Sequence, residues 1–394
     1  MNRRGIIYLM SLGIVFFLTV LSASLLVRGI SETQLSERSR SQHAAFQLAD
    51  AAVDMAAINL RTADVTDDVL SHTLPTGTSS VVSVTQLGAQ LQRVAVRGVS
   101  GSEQRNVEAV VQLIPQSIFQ FALFGDQTVN VSGNAITDSY NSSLGPYDND
   151  PSSPGYNAAH NGDIGTNATT AGGVAVSGSI FVDGQVAVGS NVADPTSVVT
   201  GYDPAFITGG TDPPSDTQDV VSQGTPFPMP AVTVPAGLNC PNETITSSTT
   251  TTLSPTGGQN GDGVYCYHNL TVQGNATLTA SGEVTVYLTG RLIARGDSTV
   301  GVLSDPRQMT FLMDSFAQAT LEQGTITGST QLAGSLYGPQ ATIDIQGNAE
   351  VFGSIIAKTV NLTGSAIIHY DEALSTDNNV SNLFQTRIVS WREL

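Results

Sequence analysis

The sequence predicts a mainly β protein: a long transmembrane α-helix, then a small β region, then a right-handed parallel β-helix. Three observations lead to this fold class. The N-terminal region contains a long uncharged run, residues 270–302 alternate apolar with polar side chains, and a short glycine motif recurs between later segments. Glycine supplies 39 of 394 residues and charged residues only 12%, which is typical of a turn-rich β protein.

The N-terminal run is long enough to cross a membrane. Arg3 and Arg4 precede uncharged residues from Gly5 to Val27, which as a helix would measure about 35 Å. The two arginines predict a cytoplasmic N-terminus. The rest of the chain would then be membrane-anchored on the extracytoplasmic side.

The helical pattern continues beyond the apolar run. Apolar residues recur at three-four spacing, namely Leu35, Phe46, Ala49, Val53, Ala56 and Leu60, which predicts one helix to about Leu60. We assign residues 1–62 to a transmembrane and stalk helix. Its alanine-rich outer part, 44–57, suits close packing against other helices, although a lone membrane anchor with a stalk explains the same pattern.

We predict a small β region at residues 63–115. Val94 and Val96, and then Val107, Ala109 and Val111, alternate with polar residues on either side of a turn at Gly98–Gly101. This pattern predicts a hairpin, and Pro115 ends the region.

The β-helix prediction for residues 116–386 depends on strict alternation. Apolar residues occupy even-numbered positions, so their side chains are expected to point inward. They are Leu270, Val272, Ala276, Leu278, Val284, Val286, Leu288, Leu292, Ala294, Val300 and Val302. Within residues 116–386, we interpret 138–170 and 195–262 as long loop excursions, and we assign 387–394 to a C-terminal tail.

Corners between the strands carry a small motif. It occurs as Gly274-Asn275-Ala276, Gly347-Asn348-Ala349, Gly364-Ser365-Ala366 and, far from these, Gly133-Asn134-Ala135. Gly and Asn tolerate left-handed backbone, and a repeat of this kind favours stacked coils with right-handed connections. An antiparallel β-sandwich is the alternative, but few two-residue hairpin turns support it.

Charge and cysteine content exclude some classes. The net charge of -18 argues against nucleic acid, whose phosphates need a basic surface. Two cysteines, Cys240 and Cys266, offer no metal-finger spacing. In an oxidising compartment they would form a disulfide worth about 3 kcal/mol; two buried thiols are the alternative.

The N-terminal region resembles that of PilX-type pilin-like proteins. The likeness lies in the basic leader ending in Gly5, the long apolar helix and the segment Ala49–Ala56. It implies cleavage between Gly5 and Ile6 by a prepilin peptidase, and helix packing with other pilin-like subunits in a type IV pilus. Met10 stands where major pilins carry a glutamate, which implies a minor subunit.

The C-terminal part is similar to a β-helical domain of unknown function that follows PilX-type N-termini. The matching segments are Asp138–Ser142, Gly334–Pro339, Gly347–Gly353, the Ile-His-Tyr-Asp-Glu-Ala-Leu motif at Ile368–Leu374 and the chain end at Trp391–Leu394. The resemblance attaches no catalytic role to them.

The motif nevertheless holds the best polar cluster, His369, Tyr370, Asp371 and Glu372. A strand would place His369 and Asp371 on one face, as a metal or acid–base site would require. A structural role, capping the last coil, is the alternative that we favour. The acids of residues 138–167 could bind calcium, but Asx turns explain them as well.

No catalytic, cofactor-binding or metal-binding residue is assigned, and we expect no enzyme and no cofactor. The only Asp-Asp pair, Asp67-Asp68, lies in the stalk, and Arg291, Arg295 and Arg307 could line a groove or be solvated. Together with the long apolar helix, the resemblance implies a minor pilin-like component of a type IV pilus or related secretion filament that presents a β-helix at the cell surface for assembly or adhesion. Its partners would be other pilin-like subunits, the membrane, and surface polysaccharide or a host receptor.

Two other classes of protein remain open. One is a membrane-anchored β-helix module that binds or acts on polysaccharide. The other is a scaffold that polymerises end to end, against which the membrane span argues.

Overall fold

The computed structural model describes residues 3–60, 71–88, 91–115, 117–209, 219–246, 248–314, 323–376 and 384–394. It divides the chain into two compact units, Met1–Pro115 with Phe384–Leu394, and Gln116–Leu383. The Asp67-Asp68 pair lies outside the described residues.

The described residues of the first unit form one long helix and one five-stranded sheet. The helix α1 spans Arg3–Asn59, and the sheet has the order β1-β2-β3-β4-β25 with antiparallel pairing throughout. Its strands are β1 (Ser71–Leu74), β2 (Gly77–Gly88), β3 (Leu91–Ser100), β4 (Glu103–Pro115) and β25 (Phe384–Glu393). The chain end that we assigned to a tail therefore forms most of an edge strand.

The helix has two different halves. Residues 12–40 are exposed over about 43 Å, and the segment Leu12–Asn59 is apolar enough to cross a membrane, with a mean hydropathy of 2.0 in its most apolar window. From Ala45 onward one face is buried against the sheet. The core between them holds Ala49, Ala52, Val53, Ala56, Leu60, Val81, Val94, Val96, Val107, Ala109, Val111 and Leu113. One face of the alanine-rich stretch thus packs on the chain's own sheet.

Gly98 on β3 permits the close approach of helix and sheet. A Cβ at this position would collide with the backbone of Ala45 and Ala49. Small residues on both partners let the two backbones meet, so the antiparallel hairpin of β3 and β4 is packed tightly under α1.

In the second unit, the described residues form one twenty-stranded sheet with short 3-10 helices between some of its strands. Its strands are β5 (Leu123–Gly133), β6 (Ile136–Tyr140), β7 (Ala158–Ala159), β8 (Ile164–Thr166), β9 (Val174–Gly178), β10 (Phe181–Val182), β11 (Val186–Val188), β12 (Val199–Thr200), β13 (Val220–Ser222), β14 (Glu243–Ile245), β15 (Thr250–Leu253), β16 (Val264–Gln273), β17 (Thr277–Ala280), β18 (Val284–Gly296), β19 (Thr299–Gly301), β20 (Met309–Met313), β21 (Gln323–Gly328), β22 (Gln331–Gly347), β23 (Glu350–Gly364) and β24 (Ile367–Asp371). The named strand pairs are parallel except for β6 with β7. Both predicted loop excursions contain short strands.

The predicted fold class, a right-handed parallel β-helix, is wrong. Coils of such a solenoid would stack in chain order, whereas here β5 pairs with β23 on one side and with β8 and β9 on the other. The first strands of the unit lie beside its last ones. The structure shows a long N-terminal helix, an antiparallel sheet and a large, mainly parallel sheet.

The segment 223–242 explains this strand order. It leaves β13, and the Gln223 side-chain amide donates over 2.8 Å to the carbonyl of Thr166 on β8. Phe227 then packs on Phe124 of β5, with 4.5 Å between ring centroids, and the Tyr337 hydroxyl of β22 donates to the Pro230 carbonyl. The segment thus crosses the sheet before the chain resumes at β14.

The inward and outward parities were predicted correctly. The alternating residues from Leu270 to Val300 are buried, and so are the later sets, Ile343, Ile345, Ala349, Val351, Ile355 and Ala357, and Val360, Leu362, Ala366 and Ile368. Side-chain alternation is a local property of each strand, so it holds whichever strands are neighbours.

The glycine motif marks a column of corners. Seven glycines with φ from 68° to 103° lie one above another, in the order Gly274, Gly296, Gly328, Gly347, Gly364, Gly133 and Gly178. A Cβ on Gly133 would collide with the backbone of Gly364. Both the left-handed backbone and the close approach therefore require glycine here.

Candidate functional site

The segments Asp138–Ser142 and Ile368–Leu374, which the sequence analysis singled out, lie together and form one site. Strands β6 and β24 pair in parallel, with Asp138 beside His369, Ser139 beside Tyr370 and Tyr140 beside Asp371. Alternation sends Ile368 and Tyr370 into the apolar core, so His369 and Asp371 share the opposite face, as predicted. The site is therefore assembled from segments far apart in the sequence.

His369 is held between two carboxylates. Its Nδ1 lies 2.6 Å from Asp138 Oδ1 and its Nε2 lies 3.2 Å from Glu350 Oε1. The Tyr147 hydroxyl donates to the other oxygen of Asp138 over 2.5 Å, and the Gln331 amide donates to Glu350 over 2.8 Å. Both ring nitrogens are thus engaged.

Aromatic rings cover the imidazole. The Tyr147 and Phe352 ring centroids lie 3.9 and 4.9 Å from that of His369, whose residue is 4% exposed. The imidazole is therefore shielded from bulk water, whereas the carboxylates of Asp138 and Glu350 remain partly exposed.

The surroundings favour the charged form of His369. Burial opposes the imidazolium, but the hydrogen bonds and negative charges of Asp138 and Glu350 outweigh it and raise the pKa of His369. The hydrogen bond from His369 lowers the pKa of Glu350 against the effect of burial, with help from Gln331. His369, which is buried, and its two partly exposed carboxylate partners form a triad of opposite charges.

This geometry suits a structural contact rather than acid–base catalysis. A general base needs a free lone pair within reach of a substrate, whereas both nitrogens of His369 face carboxylates and the ring is covered. Among the described residues, no group of three or more His, Cys, Asp or Glu side chains could hold a metal ion.

The other three motif residues make separate contacts. The Tyr370 hydroxyl donates to the Phe119 carbonyl over 2.8 Å. Asp371 Oδ1 accepts from the backbone N–H groups of Ser142 and Ala373. Glu372 accepts from the Ser139 hydroxyl and, at 2.7 Å, from the Asn161 amide. Since β24 pairs with β23 on one side and β6 on the other, these residues do not cap an open sheet edge.

The acidic loop after β6 uses its carboxylates locally. Asp148 Oδ1 accepts from the N–H of Asp150, Asp148 Oδ2 accepts from the Ser153 hydroxyl, and Asp150 Oδ1 accepts from the N–H and hydroxyl of Ser152. These are Asx-turn contacts, and they favour that interpretation over calcium binding.

A shallow groove of about 660 Å³ lies at the Gly274 end of the glycine column. Arg295 lines it, with its guanidinium donating to the Gln273 side-chain oxygen, and Asn275, Thr246 and Ser248 complete its polar wall. The groove has no carboxylate among its described lining residues, so it offers a surface for hydroxyl-bearing ligands but no pair of acids for hydrolysis.

The remaining site predictions have different outcomes. Cys240 and Cys266 form the expected disulfide. Gly5 and Ile6 lie in the first turns of α1, but their side chains fall outside the described part of the chain, so cleavage there stays a prediction. The sequence did not identify Asp138, Glu350 and Tyr147 as partners of His369. The pairing of β6 with β24 could not be read from local patterns.

Comparisons with known proteins give limited information. The family model of a domain of unknown function, DUF7305, matches residues 213–377, which include the His369 motif and strands β13–β24. No curated protein matches the sequence.

Among solved structures, a similar chain is the competence-associated pilin ComZ from Thermus thermophilus. The match covers 90% of this chain and 97% of that one, with 11% identity and a TM-score of 0.24. At this identity and TM-score the likeness establishes neither a shared fold nor a function.

Proposed function

We propose that this protein is a non-enzymatic, minor pilin-like component of a type IV pilus or related secretion filament. Its helix α1 spans the membrane before assembly and then packs with the helices of other pilin-like subunits. The second unit, with its large sheet, is presented outside the cell, where it serves assembly or adhesion.

The observation that carries this proposal is the division of α1. Residues 12–40 are exposed, and 12–27 among them are uncharged and mostly apolar, whereas one face of the helix from Ala45 onward is buried on the antiparallel sheet. Exposed apolar side chains include Leu12, Ile14, Phe16, Phe17, Leu18, Leu21, Leu25 and Leu26. The first half of such a helix needs lipid or protein around it. Its second half packs on the antiparallel sheet of the first unit.

Contacts at the junction support a stiff connection. Arg38 Nε lies 3.0 Å from Glu103 Oε1, and the Gln42 amide donates to the same carboxylate over 3.2 Å. Glu103 begins β4, so the helix is tied to the sheet where its exposed half ends. In a filament, these contacts would hold the antiparallel sheet in place relative to the packed helix.

Two sequence features favour a minor subunit. Met10 offers no carboxylate to pair with a neighbour's amine, so a filament made only of this chain would bury many unpaired charges. The second unit is also much larger than helix packing needs. The buried His369 triad, which leaves no free base, favours a non-enzymatic role.

The groove at Arg295 favours one second candidate, a membrane-anchored module that binds polysaccharide. Polar amides and a guanidinium can accept and donate hydrogen bonds to sugar hydroxyls. A glycan array probed with the full chain in detergent, with Arg295→Ala as the comparison, tests this candidate. Binding that is lost in the variant supports it.

Processing at Gly5 tests the pilin-like route. We expect the mature chain, isolated from its native cells, to begin at Ile6 by intact mass and N-terminal sequencing. The Gly5→Val variant should retain residues 1–5, while Gly13→Val, within the helix, should be cleaved normally. A mature chain that still carries Met1–Gly5 would contradict the proposal.

A further inference from the structure

Three buried oxygen atoms around Asp371 have no hydrogen-bond partner among the described residues. They are Tyr140 Oη, Ser142 Oγ and Asp371 Oδ2. Tyr140 and Asp371 are 0% exposed and Ser142 is 7% exposed. An unsatisfied buried polar group destabilises the fold, so three at one place call for an explanation.

The other two oxygens belong to residues that lie beside Asp371. Tyr140 on β6 is the direct neighbour of Asp371 on β24. The Ser142 N–H donates to Asp371 Oδ1 over 2.9 Å, which brings the Ser142 side chain to the same group. Its hydroxyl is close enough to lower the pKa of Asp371 against the larger effect of burial, yet no hydrogen bond of normal geometry joins them.

The other acceptor of the carboxylate is already used. Asp371 Oδ1 accepts from Ser142 N–H and, over 3.1 Å, from Ala373 N–H, so Oδ2 is the oxygen that needs a donor. The rings of Tyr147 and Phe352 pack against Tyr140, with centroids 5.4 and 6.4 Å from that of Tyr140, and all three oxygens are buried.

We propose that Tyr140 Oη, Ser142 Oγ and Asp371 Oδ2 together bind one buried water molecule. The water donates to Asp371 Oδ2 and to Ser142 Oγ and accepts from the Tyr140 hydroxyl. Three hydrogen bonds are the usual number for a buried water. The water joins the segment after β6 to the end of β24, so both sequence motifs contribute to its binding.

A metal ion fits these residues less well than water. Calcium takes six to eight oxygen ligands and magnesium demands an octahedron, whereas this place supplies one carboxylate oxygen and two neutral hydroxyls. Two donated and two accepted hydrogen bonds are what water offers, and the three oxygens use three of them.

The test combines thermal melting with crystallography on the full chain in detergent. Tyr140→Phe removes one bond to the water, and we expect the melting temperature to fall by about 2–4 °C. Ser142→Ala should act in the same direction. Tyr156→Phe, whose residue is 46% exposed, is the matched control and should leave the melting temperature unchanged. An unchanged or higher melting temperature of Tyr140→Phe would show that its hydroxyl is unsatisfied and would overturn the proposal.

A crystal structure resolves the remaining outcomes. We expect one water peak within hydrogen-bond distance of all three oxygens, and no change in melting temperature when sodium, potassium or calcium is exchanged or chelated. A direct Tyr140–Asp371 hydrogen bond without the water, or a metal ion with short oxygen contacts, would overturn the proposal.

Discussion

His369 and Asp138 are separated by 231 residues in the sequence, and a 2.6 Å contact joins their side chains in the fold. With Glu350 on the other side of the ring, they form the triad of opposite charges in the second unit. The contact exists because β24 and β6, near the two ends of that unit, are neighbours in one parallel sheet. The contact between His369 and Asp138 therefore depends on the non-sequential strand order.

His369→Gln should destabilise the second unit by about 3 kcal/mol. The change leaves Asp138 and Glu350 as partly buried carboxylates without a positive partner. Urea unfolding of the full chain in detergent, followed by fluorescence, measures the loss. His268→Gln is the control, because His268 Nδ1 lies 3.0 Å from a neutral group, the Thr289 hydroxyl, and we expect it to cost less than about 1 kcal/mol. Equal losses in both variants would refute a special role for the triad.

The stabilisation by His369 should depend on pH. Its pKa is raised in the fold, so its contribution is complete below its ordinary value of 6.5 and is lost as the pH rises through the folded-state pKa. The pKa of Glu350 is lowered from 4.5, so its contribution is complete above that value and is lost at lower pH. The difference in unfolding free energy between wild type and His369→Gln should be largest from about pH 4.5 to 6.5. A difference that is constant from about pH 5 to 9 would contradict this assignment.

Gly98→Ala should loosen the docking of α1 on its sheet. The added methyl group would meet the backbone of Ala45 and Ala49, and overpacking of this kind costs about 1–3 kcal/mol. Amide hydrogen exchange of β3 and β4 measures the effect within the first unit. Gly88→Ala is the control, because a methyl group added there would have no neighbouring atom within 4 Å. Exchange that is equally slow in both variants would show that the close approach is not required.

Three glycine-to-alanine variants separate the two reasons why the column requires glycine, which are backbone strain and collision with the next glycine. Gly172→Ala adds only backbone strain, because Gly172 has a φ of 87° and open space around it, and Gly224→Ala adds neither effect. Gly133→Ala adds strain and a collision with Gly364, so it should cost more than the roughly 1–3 kcal/mol of strain alone. Unfolding free energies should rank Gly133→Ala as most destabilised, then Gly172→Ala, then Gly224→Ala. A Gly133→Ala variant as stable as Gly172→Ala would exclude the stacked column.

Much of the local structure could be predicted from the sequence. The apolar run and its periodicity predict α1, alternation predicts the buried set from Leu270 to Val300, and the Gly-x-Ala motif predicts corners whose alanines are buried. The motif also predicted a corner at Gly133, but it did not predict that Gly133 lies against Gly364. The sequence motif missed three corners of the column, at Gly178, Gly296 and Gly328, because Ile180, Ser298 and Thr330 replace the alanine there.

The order of strands could not be predicted, and this is why the predicted β-helix was wrong. Alternation states which side chains point inward but not which strand is the neighbour, so the pairing of β5 with β23 left no local signal. The same limit hid Asp138 and Glu350 from the prediction of the His369 cluster. An alanine-rich helical face is compatible with a helix or a sheet as its partner, and here the partner is the chain's own sheet.

The most direct test of the pilin-like proposal is the composition of surface filaments. Filaments sheared from native cells would be fractionated and probed with an antibody against residues 71–394. We expect the protein there at low stoichiometry relative to the main subunit, and its loss from this fraction when the prepilin peptidase is deleted. Recovery only in the membrane fraction, with Met1–Gly5 intact, would contradict the proposal.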